Sequence, residues 1–182
     1  MMGLNKSANP LAASQLTPSF LPSLGRGKGP SGPKGLKLEH RIGVQAPPEV
    51  LWDLIADLGA WPEWNPIYSQ ASGVLSIGAP LELTLALPDL PPRFIEPVVV
   101  DWVPHEQLLW RTSVASGLGV AIRFLEIDQV AENACIFSNG ELFQGLLGPA
   151  AGERVRRPLK KGFAAMGEAL KARAEAAWRG QA

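Results

Sequence analysis

The chain has 182 residues, a hydrophobic fraction of 46%, a charged fraction of 19% and a formal net charge of zero. That length suits one domain with a core large enough to need no staple, and no apolar run reaches the ~18 residues of a spanning helix. A single Cys135 with only His40 and His105 excludes a disulfide framework and a zinc site, points to a reducing, cytoplasmic setting, and leaves no metal or cofactor to expect.

The charge is unevenly spread. Lys6, Arg26, Lys28, Lys34 and Lys37 precede the first acidic residue, Glu39, whereas residues 39–182 hold 12 basic and 17 acidic residues, a net charge of −5. A basic tail on an acidic domain is not the concentrated basic surface that nucleic acid requires, so no nucleic-acid partner is expected. Residues 1–35 are rich in Gly, Pro and Ser without apolar periodicity. They are expected to be a disordered tail, with residues 36–179 forming the domain. The tail is acid-free, as organellar transit peptides are, but it carries one Arg and several helix breakers, so import is the weaker reading beside a dispensable extension.

Leu36–Gln45 reads as a first strand, with Leu36, Leu38, His40, Ile42 and Val44 on one parity. Pro47 and Pro48 suit a helix's first turn, where an N–H would be unpaired anyway. Val50, Leu51, Leu54, Ile55 and Leu58 recur at helical spacing up to Gly59. A corner follows, Trp61-Pro62-Glu63-Trp64-Asn65-Pro66.

Strand-like runs separated by turn signals come next: 67–74, 80–87, 93–103, 107–114, 120–130 and 134–146. The clearest alternates Leu81, Leu83, Leu85 and Leu87 with Glu82, Thr84 and Ala86, and Pro97 marks an edge or bulge. Short links imply antiparallel neighbours. Val155, Leu159, Phe163, Met166, Leu170 and Ala174 then form one helical stripe. Pro158 is expected to be the first residue of that helix. Two helices bracketing a run of strands predict an α+β fold, a bent sheet wrapped on the last helix.

On the parity of Phe137 and Phe143 the last strand presents Cys135, Asn139 and Glu141. Glu141 then sits on an apolar face. It could anchor a ligand hydroxyl or act as a base with a raised pKa. Alternatively it pairs with Arg123 or Arg111, or the opposite parity faces inward. Trp61, Trp64 and Asn65 would rim a cavity mouth or pack the corner, and Trp102 and Trp110 are lining or core. His105 is expected exposed in a turn and His40 packed within the first strand. Ser113 and Ser138 lack a nucleophile elbow. Arg154, Arg156, Arg157, Lys160 and Lys161 form a basic cluster that could touch anionic lipid or an acidic partner, or be a solvated face.

Ala46-Pro-Pro-Glu-Val-Leu-Trp52, Asp57-Leu-Gly-Ala-Trp61-Pro-Glu-Trp64-Asn-Pro66, Leu109-Trp110, Glu141-Leu-Phe143-Gln-Gly145 and Lys160-Lys-Gly-Phe163-Ala-Ala-Met166-Gly-Glu-Ala-Leu170-Lys-Ala-Arg173 occur in the order that resembles the START, or birch-pollen-allergen, superfamily. These are the SRPBCC, or polyketide cyclase/dehydrase and lipid transport, domains. The resemblance implies a helix-grip fold, with a curved antiparallel seven-stranded sheet around a long C-terminal helix and one or two short helices after the first strand. It also implies an apolar cavity for a lipid-, polyketide- or aromatic-like molecule. Trp61, Trp64, Asn65, Leu83, Leu85, Trp102, Trp110, Phe137, Phe143, Phe163 and Met166 are the candidate ligand-binding residues. Carriage without catalysis is the leading reading. The alternatives are a cyclase or dehydratase using Glu141 with Arg123 or Arg111, and a protein-interaction module. A small hydrophobic ligand is the expected partner, without stable membrane insertion and with the oligomeric state left open.

Overall fold

The computed structural model describes residues 35–180, so the expectation for the tail lies outside the described residues. Strand β1 (Leu36–Val44) leads into α1 (Pro48–Ala56). The corner is a single turn over 58–60 running into the short α2 (Trp61–Trp64). Then come β2 (Tyr68–Gly73), β3 (Leu81–Leu85), β4 (Arg93–Ile95), β5 (Val98–Val103), β6 (Gln107–Val114), β7 (Gly119–Ala131), β8 (Ala134–Gly145) and α3 (Gly148–Arg179).

The expected single seven-stranded sheet is divided. Five strands run in the order β1-β8-β7-β6-β5, and three more in the order β2-β3-β4, all antiparallel. The run expected over 93–103 breaks into β4 and β5 at Pro97, which has no N–H to continue a ladder. The two sheets still meet. The Leu81 N–H donates to the Pro97 carbonyl, the Val99 N–H to Ala79 and the Gly78 N–H to Val99, and Pro80 bridges Val98.

Helix α3 packs across β1, β8 and β7. Its stripe of Leu159, Phe163, Met166, Leu170 and Ala174 is buried against them. Gly167 permits the close approach to β1, since a Cβ there would stand 2.8 Å from His40 Nδ1. The helix begins at Gly148, ten residues before the expected start, and Pro158 lies inside it. The ring removes the bond to the Arg154 carbonyl. Arg154 is exposed, so water can take that carbonyl, and Val155 keeps the stripe running against the sheet.

Inner-face registers are read across the sheet. Leu38 lies opposite Glu141, Glu141 opposite Arg123, and Arg123 opposite Trp110. The next rung towards the C-terminal end of α3 carries His40, Asn139 and Leu125, and the one beyond it Ile42, Phe137 and Ile127. In the other direction, beneath the start of α3, lie Leu36, Phe143, Ala121 and Thr112.

Candidate functional site: an inward carboxylate beside a buried arginine

Arg123 is 2% exposed and Asn139 0%. A buried guanidinium must be met by acceptors or it costs several kcal/mol. Here Nη1 donates to the Gly140 carbonyl (2.8 Å) and the Phe124 carbonyl (3.1 Å). Nη2 donates to Asn139 Oδ1 (3.1 Å) and reaches Met166 Sδ (3.4 Å), and Nε donates to the Tyr68 hydroxyl (3.4 Å). The cation also lies 4.2 Å from the Phe163 ring centroid and 5.9 Å from that of Trp110. Every N–H of the fork is therefore committed to a neutral group. Asn139 ties the set to the helix, because its Nδ2 donates to the Phe163 carbonyl (3.2 Å).

Glu141 stands at the neighbouring register position but forms no ion pair within 4 Å with any described residue. Its parity is the inner one. Asn139, two residues before it, bonds α3, and Phe143, two residues after it, abuts Gly152 of α3. Leu38, Arg123, Asn139 and Phe143 around it are all buried, yet Glu141 itself is partly open to solvent. Thr112, Val114 and Leu85, each on the strand parity of a buried inner residue, are also only half-buried, as is Val155 of the α3 stripe. On this side of Arg123 these half-buried positions stand beside the buried Ala121 and Phe143.

Desolvation by the surrounding protein raises the Glu141 pKa to about 7, with the Arg123 charge pulling the other way. The Tyr68 hydroxyl is pushed up as well, mainly by burial, with Arg123 opposing and Glu141 adding to the rise. The arrangement is a carboxyl poised between its two charge states near neutral pH, beside a fixed cation in an aromatic setting. Such a group can accept a proton, give one, or hold a ligand hydroxyl.

The other sequence candidates separate. Trp110, Phe163 and Met166 contact Arg123, while Phe137 and Leu83 are sealed and Leu85 is half-open. Trp61 is fully buried in the corner. It packs on Trp64, Tyr68 and Trp110 and donates from Nε1 to the Ile55 carbonyl (3.1 Å). Asn65 Oδ1 accepts from the Ile67 N–H (3.2 Å), so Asn65 shapes the exit from the corner. Asn65 Nδ2 and Trp64 Nε1 are buried without a partner among the described residues. Trp102 stacks on Trp52 of α1 with centroids 6.2 Å apart, away from Arg123. Arg111 is exposed on the opposite face from Arg123, so it does not converge with Glu141, because β6 alternates and its inner position is Trp110. His105 is exposed in its turn at φ 67°, and His40 lies under Gly167. Tyr68 and Thr112 went unread in the sequence. Tyr68 opens a weakly patterned strand, and its only signal was a position just past the tryptophan corner.

A two-layer grip of bent antiparallel sheets on one long helix, with an inward polar pair in an apolar interior, defines a helix-grip protein. The sequence profile for polyketide cyclase/dehydrase and lipid transport domains matches residues 35–175, and the chain belongs to that family. No curated protein matches it. Among solved structures it is similar to the Zhui aromatase/cyclase from Streptomyces sp. R1128, with a TM-score of 0.63 and 13% identity over 78% of this chain and 94% of that one. The di-domain ARO/CYC StfQ from the steffimycin biosynthetic pathway gives a TM-score of 0.63 and 14% identity over 81% of this chain. The match covers 52% of StfQ, so the chain spans about half that protein's length. A START superfamily protein from Mycobacterium smegmatis gives 0.56 and 16%, covering 80% and 99% of the two chains. Identities this low speak to fold alone.

Proposed function

We propose that the chain binds a small hydrophobic molecule, lipid-, polyketide- or aromatic-like, between its five-stranded sheet and α3, with the ligand's polar group at Glu141. The supporting observation is the partial exposure of Glu141 on an inner face whose neighbouring residues are buried. Apolar sites with a few convergent polar groups are the usual form of small-molecule pockets. Thr112, Val114, Leu85 and Val155 would supply the wall and Glu141 the orientation. Arg123 holds the strands and the local field, and its committed donors leave it no free N–H for a ligand. The ARO/CYC identity of two structural relatives favours a polyketide-like or aromatic ligand.

Native mass spectrometry on protein purified without organic solvent tests this. The expected result is an adduct of a few hundred daltons that disappears on denaturation. A bare mass, combined with no chemical-shift change at Thr112, Val114 or Glu141 on titration with a fatty acid and with a polycyclic phenol, would overturn it.

A second reading, a cyclase or dehydratase, is favoured by the Glu141 pKa of about 7. The carboxylate would take a proton from carbon beside a ligand carbonyl and return it to a leaving hydroxyl, which departs as water. Glu141→Gln would then abolish turnover while retaining the adduct. For a carrier, the substitution changes affinity alone.

A further inference from the structure

We propose that the start of α3 and the loop beside it form a docking surface for an anionic lipid bilayer. Two observations carry this, one apolar and one electrostatic.

The apolar one is a leucine tip. The β6–β7 connection and the β8–α3 junction meet where the Leu147 N–H donates to the Leu118 carbonyl (3.1 Å). Leu118, Leu146 and Leu147 all project from this point, and Leu146 is 81% exposed. The connection carries Ala115, Ser116 and Gly117 at φ 52°, 56° and 86°, a turn that holds Leu118 out from the sheet. Single exposed leucines are ordinary, but three at one tip are a patch. Nearby, Lys161 bonds Asp89 (3.0 Å), which places the exposed Leu90 alongside the same helix.

The electrostatic one is a concentration of cations against the trend of the domain. Residues 39–182 carry a net charge of −5, yet five of their 12 basic residues fall within 154–161. Glu153 is the one acidic residue between Leu142 and Gly167. It is engaged with Arg156, and Asp89 with Lys161. Arg154, Arg157 and Lys160 are exposed and have no acidic partner within 4 Å among the described residues. Arg154, Arg157 and Lys161 recur at three- and four-residue spacing, on the face turned from the buried Leu159–Phe163 stripe. The helix macrodipole offers these cations no stabilisation at this end.

From Gly148 to Lys161 is about 20 Å of helix. Leucines at its tip and beside Lys161, with unpaired cations between, match a surface that is apolar beneath and negative above. Leucines enter the acyl boundary while the cations meet lipid phosphates. An acidic protein would answer the cations, but it would also need an apolar edge to cover the three clustered leucines, whereas a bilayer offers both at once. No described helix is long and apolar enough to cross a membrane, so the contact is peripheral.

Co-sedimentation of the full chain with phosphatidylcholine vesicles, with and without phosphatidylglycerol, tests the proposal. Partition onto the anionic vesicles alone, weakening as salt rises, is expected. The triple variant Arg154→Gln, Arg157→Gln, Lys160→Gln should lose about a hundredfold in partition. Leu146→Ser with Leu147→Ser should lose about tenfold or more. All five positions are exposed, so an unchanged thermal midpoint confirms that the variants are folded. No partition at low salt, equal partition onto neutral and anionic vesicles, or an unaltered triple variant would each overturn the proposal.

Discussion

Two rungs of the same sheet, with one rung between them, behave in opposite ways. At Ile127 and Phe137 the inner face is solid, with both side chains buried beneath α3. Two rungs along, Arg123 is just as buried, but Glu141 opposite it is only half-buried, and Thr112 and Val114 beyond are half-buried too. The strands, helix and alternation are the same at both rungs. What differs is that Arg123 turns a cation inward, met there by two carbonyls, Asn139, Tyr68 and Met166 rather than by apolar side chains alone. A satisfied buried cation thus lies between the sealed rung and half-buried positions.

That contrast can be broken most severely at the packed rung. Phe137→Ala should cost about 3–5 kcal/mol, read as a lowered urea midpoint at constant m-value, because the cavity has nothing mobile to refill it. Arg123→Met should cost about 3 kcal/mol. It removes a charge that has no ionic partner, but strands the Gly140 carbonyl, Asn139 Oδ1 and the Tyr68 hydroxyl. If Arg123→Met instead proves neutral, those acceptors do not depend on the guanidinium.

Glu141 sharpens the comparison through pH. Its pKa is raised from 4.5 to about 7, so the folded chain keeps the proton longer than the unfolded one. The group costs nothing below the ordinary carboxylate range. As pH rises from about 4.5 through 7, the unfolded state ionises freely while the folded state must charge a desolvated group, and stability falls by about 1–3 kcal/mol. Glu141→Gln should abolish that fall, so the variant becomes the more stable protein at pH 8. Glu126, raised mainly by burial, acts with the same sign, and cancels in the difference between the two proteins.

The smallest effect belongs to the open rung. Val114→Ala should cost under about 1 kcal/mol, since a half-buried side chain leaves water little new surface to wet. A loss matching that of Phe137→Ala would mean the interior is packed there too.

The element order, the antiparallel pairing and the α3 stripe were legible from spacing, because period-2 and period-3.6 patterns are local properties of the chain. So was the shared parity of Phe137, Asn139, Glu141 and Phe143. Which parity faces α3 was not legible. The central strands bury side chains on both faces. Phe124 lies outward, with Lys37 Nζ 5.0 Å from its ring centroid and Gly140 leaving room for the ring, and Leu109 and Leu142 are outward and buried as well. With both parities apolar, alternation loses its contrast. Pro158 misled for a related reason: a local rule for helix starts yielded to the packing of Gly152 against Phe143 and of Val155 on the core, both upstream of the proline.

The sequence by itself determined the fold class, the order of its elements and the apolar character of the inner face, since hydrophobic periodicity and turn chemistry act over a few residues. Tertiary structure alone decided that Arg123 would be fully satisfied by carbonyls, an amide, a phenol and a thioether drawn from four separate elements, and that Glu141 would be left inside without an ion-pair partner. Those outcomes depend on distances between residues up to 55 apart in the chain, as Tyr68 and Arg123 are. No pattern along the chain encodes such distances.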